Sequence, residues 1–414
     1  MRTLLGWGIL GQLIYVASQF VTLLALTRFA SVQEVGLFGL ASAVVIPVFF
    51  FFDLSIRVNV AASARSVYSF QDFRTLLAIS VTLGFALVLV IGFSAFSGSA
   101  LTILLILGAT KAAECLSDLS YGVFQRFDRM HLVAGSLILR SIGGTVLFVV
   151  LLMNGVGVEW AFLAQFLVWA AVALGVDHLR ARRLWRQEGA REGRDLARML
   201  DLAKISLPLA LNGLLSALQG NMPRYAIIWL LNVIALGQFT VVGYAMQAIS
   251  TVTMAAMQSL TSRFSLFLDE RRHSALRHAL RKILIALVVF AFCAVGVSVV
   301  LGDWLIRAVF GAGYANLGNL LAICVLAATL RAVVLTLQMC LLAGRQYRRN
   351  LLIRVGSVLT MFLACLVGGI LGGLNGIAWG MCLAFLVHIS ALALAVRGLL
   401  RHTDARGADH TPQP

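Results

Sequence analysis

The side chains of this chain best placed to do chemistry are the ionisable ones that interrupt long apolar runs: Arg28, Asp53, Arg57, Lys111, Glu114, Asp118, Arg140, Arg224 and Arg331. An ionisable group held in hydrocarbon costs roughly 3 kcal/mol or more, so each demands a partner or a water-filled cavity. Lys111 and Glu114 are three residues apart, one helical turn, and can pair on one face. At about 1.5 Å of rise per residue, counting back from the turn at 125–131 brings Arg140 to the depth of Glu114 and Asp118. The two acids can then meet the two bases across a helix pair, either as a self-neutralising clamp or as a protonatable switch between packing states. Asp53 and Arg57, four residues apart, are expected to pair with each other at a helix end. Arg28, at the end of the first apolar run, can snorkel to the interface or rim a cavity. Arg224 follows Pro223 and has no acid on neighbouring turns, and a proline that removes a backbone donor is expected to bend or break its helix. Arg331 likewise has no local acid. Deep cations outnumber deep acids, and the residual positive field suits a phosphate or diphosphate and repels organic cations.

The elements that carry these charges are read from hydropathy. Of 414 residues, 60% are hydrophobic and 12% charged, and the mean hydropathy is +0.94. A spanning helix needs about 20 apolar residues. Spans are expected at 5–28, 36–56, 74–96, 100–123, 133–153, 158–178, 204–230, 236–260, 281–301, 318–343, 350–371 and 375–396. The fold class is therefore all-α, a polytopic membrane protein of about 12 helices. Of the 33 Lys and Arg residues, 27 fall in every second gap between apolar runs, which holds those gaps and both termini on the cytoplasmic side. The polar stretch from His178 to Leu202 divides the spans six and six. An even number of crossings in each half implies two six-helix bundles related by a pseudo-twofold axis along the membrane normal. The expected organisation is a first bundle at 1–178, a basic cytoplasmic linker at 179–203, a second bundle at 204–397 and a tail at 398–414.

Several function classes fall away. The net charge of +16 sits in short loops between spans, with no aromatic-basic platform to read bases, so nucleic acid is not an expected partner; anionic membrane lipids are. The six cysteines, Cys115, Cys293, Cys324, Cys340, Cys365 and Cys382, lie in apolar stretches without metal-type spacing and read as buried small hydrophobes. No nucleophile-base pairing, outer carboxylate pair, histidine cluster or phosphate-cradling glycine loop is present, and the far-side loops are short, the longest at 302–317. Neither an enzyme nor an ATP-driven pump is expected, and no cofactor or metal is called for. Of the histidines, His388 alone lies clearly inside a span, and it reads as structural.

At the charged positions the sequence resembles a known family. The run Lys111-Ala-Ala-Glu114-Cys-Leu-Ser117-Asp118-Leu-Ser-Tyr121-Gly122-Val-Phe-Gln125-Arg126 with Ser136 and Arg140, and Pro223-Arg224-Tyr225 with Leu236-Gly237-Gln-Phe239 and Tyr244, resemble polysaccharide biosynthesis proteins of the Wzx-type O-antigen flippases. These belong to the multidrug, oligosaccharidyl-lipid and polysaccharide exporter superfamily. The resemblance implies a pair of six-helix bundles in the inner membrane that moves a polyprenyl-diphosphate-linked oligosaccharide from the cytoplasmic to the periplasmic leaflet. It also implies arginines that line a cleft and hold the diphosphate, for which Arg224, Arg28, Arg331 and Arg57 are the candidates, beside the intramembrane charge network read above from Lys111, Glu114, Asp118, Arg140 and Asp53; polysaccharide polymerase machinery is a candidate partner. Many relatives carry an acid beside the arginine of span seven, where this chain has Pro223. The rival readings are an organic-cation antiporter of the same superfamily, which needs cavity carboxylates, and a membrane glycan polymerase or ligase, which calls for a large outer loop.

Overall fold

The computed structural model describes residues 2–63, 67–187, 193–244, 246–247, 249–250, 264, 266, 270, 273–344 and 346–408. Every regular element among them is helical: α1 Arg2–Phe29, α2 Val32–Phe52, α3 Ile56–Ala62, α4 Phe70–Ala95, α5 Gly98–Arg126, α6 Met130–Met153, α7 Val158–Ala171, a π-helical turn Val172–Asp177 and α8 His178–Gln187. There follow α9 Leu196–Leu230, α10 Val233–Tyr244, α11 His273–Phe310, α12 Gly318–Ala343 and α13 Tyr347–Ala408. Ten helical stretches among the described residues are long and apolar enough to cross a membrane.

The tenth of these, Tyr347–Leu399, is two crossings. Its 53 residues would extend about 80 Å, more than twice the hydrocarbon core of ~30 Å. The chain doubles back at Gly372 and Gly373, the latter at φ 54° and ψ −135°, a conformation that a residue without Cβ reaches freely. The two limbs then pack backbone to backbone: a Cβ added at Gly376 would collide with the Gly368 carbonyl, and one at Gly380 with that of Ala364. The expected span at 236–260 begins in α10 and otherwise lies largely outside the described residues, as do 188–192 of the expected linker and the end of the tail.

The chain forms two compact units, 1–218 and 219–414, with the division inside α9. In unit 1, α5 is the hub, flanked by α2, α3, α4, α6, α7 and α8, while α1 lies along α6. In unit 2, α12 packs between α11 and α13. The burial pattern suits a lipid solvent. Outward positions are large and apolar, such as Phe292 at 83% and Val300 at 79% exposure, whereas helix contacts use small residues. Gly11 of α1, for example, lies so close to Ala134 of α6 that an added Cβ would sit 2.8 Å from the Ala134 Cα.

Three local expectations change. Span two is broken at Asp53-Leu54-Ser55, where Leu54 and Ser55 adopt φ of 54° and 49°, and α3 restarts beyond. The expected basic linker is helical over 178–187 and again from 196, and the expected far-side loop shortens because α11 runs to Phe310. Five cysteines are buried as expected, but Cys293 is exposed on the outward face of α11.

Candidate functional site

The densest set of ionisable side chains is built in unit 1 around Glu114. From α5, Lys111 Nζ lies 2.5 Å from Glu114 Oε2, the one-turn pair read from the sequence. From α1, Tyr15 donates its hydroxyl to Glu114 Oε1 at 2.9 Å. From α6, Arg140 Nη2 reaches the same oxygen at 3.5 Å. A carboxylate with two cationic partners and a phenol donor is held by three helices at once, and such a buried cluster fixes the register of α1, α5 and α6.

Arg140 is 3% exposed and is enclosed by aromatic faces. Its Cζ lies 4.7 Å from the Trp169 ring centroid, 5.3 Å from Tyr15 and 5.4 Å from Tyr121. Ring quadrupoles stabilise a cation that cannot be hydrated. The sequence placed Arg140 beside the acids, but it did not reveal the aromatic box, because Tyr15 and Trp169 come from α1 and α7.

Asp118, one turn beyond Glu114, takes a different partner from the one expected. Arg57 Nη1 lies 3.7 Å from Asp118 Oδ1, and its Cζ stands 5.5 Å from the Tyr121 ring. The expected Asp53–Arg57 pair does not form, because Asp53 caps the end of α2 while Arg57 belongs to α3 beyond the break, so the two are no longer stacked on one helix. Asp53 Oδ1 is buried and accepts no hydrogen bond among the described residues. The break itself is satisfied by side chains. Ser80 donates to the Phe52 carbonyl at 2.6 Å, and Asn59 Nδ2 donates to the Leu54 carbonyl at 3.0 Å and to Ser206 Oγ at 2.8 Å. Backbone groups freed inside a membrane protein need such partners.

A further buried acid went unnoticed in the sequence. Asp177 ends the π-helical turn, is 1% exposed, and accepts from Ser117 Oγ at 2.9 Å and Ser136 Oγ at 2.8 Å. The Tyr121 hydroxyl lies 2.7 Å from Ser136 Oγ, which joins this acid to the box around Arg140. It stands at the end of the expected span 158–178, beside His178.

Unit 2 has a different electrostatic character. Arg224 stands on α9, which continues through Pro223 to Leu230, so the expected break at that proline does not occur. Proline still lacks the N–H that would bond the Gln219 carbonyl, and the division between the two units falls at this weakened turn, between Leu218 and Gln219. Arg224 Nη1 donates to the neutral Asn221 Oδ1 at 3.1 Å. Arg331 lies mid-way along α12, and among the described residues neither arginine forms an ion pair. Arg354, near the start of the expected span 350–371, is 9% exposed and donates from Nη2 to Gln338 Oε1 at 3.1 Å. His388 is 1% exposed and lies 3.2 Å, Nδ1 to Nε2, from Gln219. Arg28 occupies the last turn of α1, exposed and apart from the Glu114 partners. Among the described residues no group of three or more His, Cys, Asp or Glu is arranged to hold a metal.

No family model matches the chain. Capsular polysaccharide biosynthesis protein CapF of Staphylococcus aureus is 22% identical over 303 residues, covering 72% of this chain and 74% of that protein. Among solved structures, lipid II flippase MurJ in an inward closed conformation superposes with a TM-score of 0.63 at 12% identity, covering 99% of this chain and 92% of that one. A variant of the Vibrio cholerae MATE transporter VcmN gives 0.62 at 14% identity, covering 97% and 96%. A transporter of the MOP superfamily from Pyrococcus furiosus, described as having a binding pocket of reversed polarity, gives 0.57 at 14% identity, covering 95% and 94%. This chain has the fold of the MATE and MurJ transporters. It is a multi-pass membrane protein of that architecture.

Proposed function

We propose that the protein is a flippase that moves a polyprenyl-diphosphate-linked oligosaccharide from the cytoplasmic to the periplasmic leaflet of the inner membrane, for surface polysaccharide assembly. The observation that carries the reading is the uneven charge of the two units. The membrane acids Glu114 and Asp118 are engaged by cations in unit 1, while Arg224 and Arg331 of unit 2 form no ion pair among the described residues. Cations without counter-ions attract an anionic headgroup. The likeness to CapF supports a polysaccharide precursor as cargo, and the fold shared with a lipid II flippase supports a lipid-linked one.

In this reading Arg224 and Arg331 receive the diphosphate, and the lipid tail stays in the bilayer. A negative cell interior assists outward movement of the headgroup by about 2.3 kcal/mol per uncompensated charge per 100 mV. Both termini lie in the cytoplasm, and the flipped product passes to a polysaccharide polymerase. The chemistry of glycan polymerisation belongs to that partner and not to this chain.

Replacing Arg224 with Ala is expected to abolish polysaccharide export while membrane abundance is retained; wild-type surface polysaccharide in that variant would remove the residue from the site. Deleting the protein should make lipid-linked oligosaccharide accumulate on the inner leaflet. A second reading, an organic-cation antiporter, draws on the MATE fold and on the unbonded Asp53 Oδ1. It predicts drug hypersensitivity on deletion with no lipid-linked precursor accumulating.

A further inference from the structure

The helix that ends unit 1's sixth crossing is longer than a membrane requires. Val158–Gln187 runs as one helical stretch of 30 residues through the π-helical turn. At ~1.5 Å per residue it measures about 45 Å, against a hydrocarbon core of ~30 Å. About ten residues must therefore project into the headgroup layer, and α8 has ten residues, His-Leu-Arg-Ala-Arg-Arg-Leu-Trp-Arg-Gln, with no acid.

The orientation of α8 is fixed by its inner face. Ala181 and Trp185, at 0% and 1% exposure, point into unit 1. The Trp185 ring lies 5.9, 6.2 and 6.1 Å from those of Phe70, Phe73 and Phe127, and the Arg126 guanidinium stacks 4.5 Å above it. The opposite face is set by helical periodicity. It runs outward along Leu167, Leu174 and Leu179, at 57%, 56% and 53% exposure, and then reaches Arg183 and Arg186, with Arg180 and Arg182 flanking that face on either side, all four arginines exposed. Apolar side chains thus give way to guanidiniums along one face, in the order that a bilayer gives way from acyl chains to phosphates. Exposed Arg74, at the start of α4, is within electrostatic reach of His178 and adds to the same field.

We propose that the outer face of α8 is a binding surface for anionic phospholipid, with the guanidiniums of Arg180, Arg182, Arg183 and Arg186 on the headgroup phosphates and Leu174 and Leu179 against the acyl chains. The occupant is a lipid and not a soluble anion, because the leucines are continuous with the cationic row. Guanidinium forks bind phosphate oxygens in a bidentate manner, and the rigid seat of Trp185 holds them without the ordering cost of a mobile loop. This surface stands whether or not the flippase reading holds, since it involves none of the residues assigned to the cargo.

The test uses the full-length protein, delipidated in neutral detergent and offered phosphatidylglycerol and phosphatidylcholine in equal amounts, with retained lipid counted by native mass spectrometry. Phosphatidylglycerol should be retained in preference. The triple change Arg180→Gln, Arg182→Gln, Arg183→Gln should lower that preference by about tenfold or more, and the triple change to Lys, which keeps the charge but loses the bidentate forks, should lower it by less. Unchanged Trp185 emission in both variants would show that α8 stays docked. Preference for phosphatidylglycerol undiminished in the Gln variant would overturn the proposal, as would equal loss in the Lys and Gln variants. Complete displacement of the lipid by inorganic phosphate at equal concentration would also overturn it, since the site would then be one for a soluble anion.

Discussion

Glu114 shows how one residue can tie three helices together inside a membrane. Its two oxygens accept from Lys111, Tyr15 and Arg140, and removing the carboxylate strands the buried Arg140 and takes the partner from the half-buried Lys111. Breaking such a pair from one side costs about 3–5 kcal/mol, mostly as desolvation of the partner left behind. Glu114→Ala is therefore expected to lower membrane abundance and melting temperature in detergent. Normal abundance with lost transport would instead make the cluster a switch. Arg140 resists the same logic in part: even without Glu114 it keeps the faces of Trp169 and Tyr121, so Arg140→Lys, which loses the planar stacking, should destabilise more than charge conservation implies.

At the scale of elements, the informative features are interruptions. The break between α2 and α3 exposes carbonyls at Phe52 and Leu54, and Ser80 and Asn59 donate to them. Asn59→Leu keeps the volume but leaves the Leu54 carbonyl and Ser206 hydroxyl without that donor, at a cost of about 1–3 kcal/mol. A thermal-stability measurement that found no change would mean that water already serves the break. The reversal in α13 depends on size instead of polarity. Gly376→Leu forces the two limbs of the hairpin apart where Gly368 and Gly376 meet, and should cost at least the ~1–3 kcal/mol of an overpacked contact, read as a lower melting temperature.

At the scale of the whole molecule, the stretch between the two halves of the sequence is anchored to unit 1 rather than free. Arg198 Nε lies 2.7 Å from Asp72 Oδ2, Asp72 is fully buried, and Tyr68 donates to Asp201 at 2.5 Å. Burial, and then the bond to Asp201, push the Tyr68 phenol up to about 12. Arg198→Ala leaves Asp72 buried with neutral donors only and should cost about 3 kcal/mol in unit 1. Limited proteolysis should then cleave within 193–198 faster than in wild type, while the crossings stay protected by the membrane.

Sequence alone determined the all-α membrane class, the position of nearly every described crossing and the Lys111–Glu114 pair, because apolar run length and one-turn spacing are local properties of a chain in lipid. It also located Arg140 near the acids, since depth along two adjoining helices follows from the short turn between them. Only the tertiary structure decided that Arg57 turns to Asp118 and not to Asp53, that Asp177 is buried under two serines, and that α9 continues through Pro223. Those outcomes depend on what neighbouring helices supply: Tyr15 and Trp169 to enclose a guanidinium, and Ser80 to satisfy a broken turn. A side chain's own segment fixes where it begins, but its partner is selected by helices far away in the chain.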